Sequence, residues 1–204
     1  MASRIFTGLI VVCTAFAAAL FVWTMVHALL YAPASATYAP PAATITAGTS
    51  SKPVRLQIPS LDIDARVQYV GVTKKGDMGI PDNFRDVAWY KYGPTPGQLG
   101  SAVMSGHLDN GLALPGVFKH LGDLKPGSDV YVITEDGSKL RFVVVGTQTY
   151  PYKEAPRELI FVQNDAARLN LVTCTGSWVA SDKTYDERIV VFTEYVDETA
   201  ADSS

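Results

Sequence analysis

The sequence predicts an all-β domain, a barrel or sandwich of short strands with two short helical pieces, set behind one N-terminal transmembrane helix. Three observations carry this expectation. A run without Asp, Glu, Lys or Arg occupies residues 5–31. A stretch rich in Ala, Pro, Ser and Thr follows over 32–53. From Val54 onward, short alternating apolar runs recur between Gly, Pro and Asp, the pattern of half-buried strands joined by turns.

Taken in order, the first element is the apolar run. A bilayer core needs about 20 such residues in a helix, whereas the apolar core of a cleavable signal spans only about 7–15. The run therefore predicts a retained anchor, although Ala34-Ser35-Ala36 resembles a cleavage site. Arg4 precedes it and no Lys or Arg follows until Lys52. That asymmetry places residues 1–4 in the cytoplasm and the rest of the chain outside the cell membrane. Residues 32–53 cannot bury enough apolar area to fold and are expected to form a spacer.

The folded domain is expected over 54–196. Strands are predicted at 54–58, where Pro59 breaks the alternation, and at 63–71, 87–90 and 101–107. Two more, at 129–134 and 139–149, flank a hairpin turn over 135–138. The last two lie at 169–173, ending at Cys174, and at 187–196, which Arg188 opens. Short helical pieces are predicted at 117–121 and 157–164, and the acidic tail from Asp197 as disordered.

Net charge is −3 and no block of like charges occurs, which excludes a nucleic-acid binder relying on a basic face. The two cysteines are Cys13, inside the apolar run, and Cys174, near the far end. A disulfide needs Cα atoms within roughly 7 Å, so this pair is not expected to bridge. An unpaired thiol in an extracytoplasmic domain invites a chemical role; the plain alternative is a buried inert cysteine.

Three residues form a sufficient kit for acyl transfer. Cys174 supplies a nucleophile once it becomes a thiolate, which cationic neighbours favour. His107, after Ser105-Gly106 at a strand end, can exchange a proton with it and with a leaving amine. Arg188 offers an oxyanion donor that stays charged. His120 lies in a helical or loop segment and reads as a surface residue.

Asn170-Leu171-Val172-Thr173-Cys174 resembles the T-L-x-T-C motif of the sortase family. Arg188-Ile189-Val190-Val191, fourteen residues on, resembles the arginine that opens the last family strand. Ser105-Gly106-His107 resembles the G-H ending its histidine-bearing strand, and the stretch from Arg55 to Ile63 resembles its opening strands. The resemblance implies a closed β-barrel of about eight strands and a cysteine transpeptidase. Cys174 would be the nucleophile, His107 the general acid/base and Arg188 the oxyanion and substrate clamp. The implied partners are surface proteins bearing an LPxTG-like sorting signal, cut between Thr and Gly, and an acceptor amine from a peptidoglycan precursor or a pilin lysine. Met104, Thr173 and Trp178, with 112–117 and 150–160, would shape the signal groove. Residues 106–132 look most like class F sortases, with class E or D next. Asn170 departs from the first Thr of the motif, which implies altered packing or hydrogen bonding and not lost chemistry. No cofactor or metal is expected, because Asp109, Asp123 and Glu154 look scattered.

Other readings remain beside this one. An L,D-transpeptidase would carry its Cys and His in one short run, and a papain-like protease would reverse their order. A hydrolytic or pilin-polymerising sortase changes only the acceptor. A non-enzymatic, membrane-anchored β-barrel for adhesion or assembly would leave Cys174 buried and inert.

Overall fold

A computed structural model describes residues 14–26, 37–38 and 51–197. Eight strands close into one barrel: β2 (Pro53–Ile58), β3 (Ile63–Val70), β5 (Val87–Tyr90), β6 (Gly100–Gly106), β7 (Asp129–Thr134), β8 (Lys139–Pro151), β9 (Ala167–Val179) and β10 (Thr184–Val196). Around the barrel they follow the order β10-β8-β7-β2-β3-β5-β6-β9. The pairs β3–β5 and β6–β9 are parallel and the other six are antiparallel. Outside the barrel, β1 (Thr37–Tyr38) pairs with β4 (Val72–Thr73), so part of the expected spacer is engaged as strand.

Alternation of the sequence becomes alternation of burial. In β7, Val130, Val132 and Thr134 are buried while Asp129, Tyr131 and Ile133 are not, as the period of two requires. Inward-facing Leu56, Ile58, Val130, Val132, Phe142, Leu169, Leu171 and Val191 are fully buried and fill the barrel with Met104 and Phe118. Burying a Leu or Phe side chain stabilises a fold by about 1.5–3 kcal/mol, so this interior holds the barrel together.

The helical expectations need revision. Residues 117–120 form turns, and a 3-10 turn follows at Leu121–Asp123. Phe118 docks into the core through a backbone bond from its N–H to the His107 carbonyl, and that tertiary tie outweighs local helix preference. The helix expected over 157–164 is a single turn at Arg157–Phe161 (α2). Within the expected anchor, residues 14–26 are helical (α1) and expose Phe16, Phe21, Val22 and Trp23. No described helix is long and apolar enough to cross a membrane; residues 5–13 and 27–31 of that expectation lie outside the described residues, as do 198–204 of the tail.

Candidate active site

Strand pairing assembles the site. Parallel strands β6 and β9 set Met104 beside Leu171 and Ser105 beside Val172. Carried two residues further, that register brings His107 level with Cys174. The Thr173 hydroxyl secures it by donating to the Gly106 carbonyl at 2.9 Å. On the other side of β9, Arg188 of β10 is the direct antiparallel partner of Cys174. Such partners hold their Cβ atoms about 4.5–5.5 Å apart. His107, Cys174 and Arg188 therefore stand in a row across three neighbouring strands.

Parity decides which way the row faces. Leu169, Leu171 and Thr173 point into the barrel, at most 3% exposed. Cys174, with Val172 and Asn170, must then face outward. Neither Cys174 nor Arg188 sits at a strand end, as the sequence suggested; each lies within a strand of 13 residues. Mutual pairing of β9 and β10 extends both strands past the bounds expected at 173 and 187.

A bulge aims the arginine. Tyr185 pairs with Trp178, yet Glu187 pairs with Thr175, a slip of one residue. Without that extra residue Arg188 would lie opposite Thr175, on the other face. Gly176 permits the slip. Its φ is +84°, and a Cβ there would run into the Asp186 carboxylate. Asp186 fills the space by accepting from the Ser177 N–H at 2.7 Å.

His107 is held from three directions. Nε2 lies 3.1 Å from the Pro81 carbonyl; a carbonyl only accepts, so Nε2 carries the proton and Nδ1 keeps the lone pair in the neutral ring. The Phe84 ring packs 4.8 Å away. Gly116 runs so close to the His107 carbonyl that no side chain fits there. Burial pushes the imidazole pKa down, with the Pro81 carbonyl and Asp109 opposing in part. Burial likewise pushes the Cys174 thiol up, countered by the Arg188 guanidinium and the Thr184 hydroxyl and reinforced by Asp109. The resting pair is neutral thiol and neutral imidazole.

Arg188 is braced by its own hairpin. Nη1 donates to the carbonyls of Tyr185 at 2.9 Å and Glu187 at 2.8 Å, and Nη2 to the Thr184 hydroxyl at 2.8 Å. The guanidinium also lies 5.4 Å from the Tyr152 ring centre. A guanidinium has five N–H groups, so two remain beyond these bonds.

Of the groove residues expected from sequence, the structure moves two away. Met104 is fully buried in the barrel, and Thr173 is bound inward to Gly106; both lie on the face opposite Cys174. Trp178 remains outside, 58% exposed, its ring 5.4 Å from that of Tyr185. Leu112 and Leu114 are exposed. On the outward face beside Cys174, Val103 and Val190 are buried beneath Ile160 of α2, with Tyr150, Ala155 and Val172 packed around them. Asn170 ties this layer down through Nδ2 to the Ile160 carbonyl at 2.7 Å.

Sequence reasoning missed Thr184, Asp109, Tyr185 and Tyr152. The Tyr185 hydroxyl donates to the Asp109 carboxylate, 2.8 and 2.7 Å from its two oxygens. Nothing in the pattern links two residues 76 positions apart. Among the described residues, no three His, Cys, Asp or Glu side chains gather as metal ligands.

A family model for the sortase domain matches residues 56–196. The chain belongs to the sortase family. Its domain is thus that of a cysteine transpeptidase. Among solved structures, sortase C-1 from Actinomyces oris aligns with TM-score 0.54 at 22% identity, over 72% of this chain and 76% of that one. The lid mutant of sortase A from Corynebacterium diphtheriae aligns with TM-score 0.54 at 21% identity, over 72% and 73%. Sortase C2 of Group B Streptococcus Pilus Island 1 aligns with TM-score 0.53 at 20% identity, over 70% and 73%. At these identities the likeness is one of fold. No curated protein matches the chain.

Proposed function

We propose that this sortase cleaves an LPxTG-like C-terminal sorting signal between Thr and Gly and transfers the upstream protein to an amine. The observation that carries the reading is the register that flanks Cys174 with His107 on β6 and Arg188 on β10. His107 takes the thiol proton at Nδ1, and the thiolate attacks the Thr carbonyl carbon. The free N–H groups of Arg188 hold the oxyanion. His107 then returns its proton to the Gly nitrogen as the C–N bond breaks, leaving a thioester on Cys174. An incoming amine reverses these roles and releases the new amide.

Burial makes the reactive ion pair scarce. With ordinary pKa values of about 6.5 for His and 8.5 for Cys, thiolate–imidazolium would be about 1% of molecules. The downward shift of His107 and upward shift of Cys174 make it rarer still. The enzyme is then slow unless substrate binding, by bringing an oxyanion toward Arg188, favours the charged state.

Val172, Tyr150 and Ala155, partly exposed and packed over buried Val190 and Ile160, form the apolar layer that would receive the Leu and Pro of the signal. Residues 106–132 support assignment to class F. The apolar run over 5–31 supports a single-pass anchor with the catalytic domain outside the cell, where sorted proteins and lipid-linked acceptors meet. A peptide library with product mass measurement tests substrate and acceptor together. Glycine, lysine and water compete as nucleophiles; amide products from an LPxTG-like peptide support the reading, and no cleavage of any such peptide overturns it.

A further inference from the structure

Outside the catalytic row lies one largely buried carboxylate. Asp109 lies two residues past His107, its side chain 10% exposed. It accepts from the Tyr185 hydroxyl at both oxygens and has the Lys119 ammonium 3.9 Å away. Tyr185 is itself two-handed. Its carbonyl accepts from Nη1 of Arg188 at 2.9 Å, while its ring packs edge-on against Trp178. One residue on β10 thus grips both the loop leaving His107 and the guanidinium of Arg188. These two arms lie on opposite sides of Cys174 and are joined to one another by no strand pairing, since β9 lies between β6 and β10.

We propose that Asp109 and Tyr185 form a clasp across Cys174, with Tyr185 holding the His107 and Arg188 arms in register and Asp109 acting as a positioning residue that faces the imidazolium formed during turnover. The inference rests on the sortase reading of Cys174, His107 and Arg188 given above. It assigns a task to a carboxylate that a solvated surface position would not explain. A bare carboxylate so little exposed is costly unless satisfied, and a tyrosine hydroxyl with an ammonium nearby satisfies it without cancelling its field at the site.

The charge arrangement has a testable sign. The groups acting on Cys174 are Arg188 and Thr184 from β10, with Asp109 and Tyr185, and His107 stands level with it in the strand register. Asp109 faces His107, Cys174, Tyr185 and Lys119. Its negative charge favours the imidazolium and disfavours the thiolate, so both ionisations lie higher with it than without it. Removing the charge must lower both together. A substitution that merely loosened the fold would reduce the amplitude of activity without moving both limbs in one direction.

The experiment uses the full chain and two readouts. The first is the pH dependence of iodoacetamide alkylation at Cys174, quantified on its own peptide by mass spectrometry so that Cys13 does not contribute; no substrate is needed. The second is the pH profile of kcat/KM with an LPxTG peptide. Asp109→Asn, which keeps an acceptor for Tyr185, is expected to move the alkylation midpoint down by about half a pH unit or more and to move both kcat/KM limbs the same way. Tyr185→Phe, which keeps the ring and the carbonyl, is expected to lower kcat/KM about 3- to 10-fold without moving the midpoint down. An Asp109→Asn protein that melts normally and shows an unmoved midpoint overturns the charge role, and a Tyr185→Phe protein with full kcat/KM overturns the clasp. Cys174→Ala serves as the separate control: turnover that survives it refutes the sortase reading, whereas turnover lost in Cys174→Ala with unmoved limbs in Asp109→Asn refutes this inference alone.

Discussion

Replacing Gly176 with Ala perturbs the site without touching any reacting group. At φ +84° an L residue occupies the left-handed region, at a cost of about 1–2 kcal/mol. The new Cβ meets the Asp186 carboxylate, which must swing away and release the Ser177 N–H it holds at 2.7 Å. That bond is exposed, so its loss adds about 1 kcal/mol. The sum, about 2–3 kcal/mol, lowers Tm by about 4–12 °C for a chain of this size. Activity is expected to fall further than stability accounts for. Asp186 stands opposite Gly176-Ser177, the two β9 residues of the bulge that sets Arg188 opposite Cys174, and losing one oxyanion donor costs up to about 10²–10³ in kcat. Circular dichroism melting and peptide turnover, measured at a temperature where the variant is fully folded, separate the two effects. Asp186→Ala alone removes the Ser177 bond without the φ penalty and should lower Tm less than Gly176→Ala does. A Gly176→Ala protein melting within about 1 °C of the parent with unchanged kcat would refute the role given to the bulge.

Arg188→Lys keeps the charge but loses the planar fork that bonds Tyr185, Glu187 and Thr184 at once. Turnover should fall at least tens-fold, with about 2.7–4 kcal/mol as the ceiling; near-parental kcat would place the oxyanion donors elsewhere. The pH profile of kcat/KM should be a broad bell, its acid limb below about 6.5 and its alkaline limb above about 8.5. The low limb belongs to His107, which must be neutral to take the thiol proton and loses that capacity as pH falls. The high limb belongs to Cys174. Because His107 is shifted down and Cys174 up, the fraction in the ion-pair form is flat between them; a narrow optimum would contradict those shifts. Asn170→Ala removes the bond to the Ile160 carbonyl and should cost about 1–3 kcal/mol of stability, raising KM while leaving alkylation of Cys174 unchanged. An unchanged KM would show that the layer under α2 is not part of the groove.

Much of the barrel was legible because short apolar runs recur between turn residues, alternating in burial in β7 and continuously buried over Val87, Ala88 and Trp89 of β5. The strand expected at 129–134 is β7 residue for residue, and that expected at 87–90 is β5. Legibility failed where a strand is extended by its neighbour. Thr175-Gly176 after Cys174 and Asp186 before Arg188 carry turn-forming residues, yet here they make a bulge inside a paired hairpin, which no local pattern encodes. The 117–121 segment failed for a related reason. Phe118 and Val117 are pinned by backbone bonds to His107 and Phe84, tertiary contacts that override the helical spacing. At the site, types and order in the sequence picked out His107, Cys174 and Arg188, but parity alone separates outward Cys174 from inward Thr173 and Met104. That parity required knowing that β6 and β9 run parallel. Asp109 looked like a scattered carboxylate because its partner Tyr185 comes from a strand 76 residues later.

The most direct test of the account is intact-mass analysis of the full chain quenched in acid during turnover of an LPxTG peptide. The expected result is a mass increase equal to the acyl part of the peptide, mapped to Cys174, removed by hydroxylamine and lost in Cys174→Ala. Cleavage that continues without an adduct on Cys174, or that survives Cys174→Ala, would contradict it.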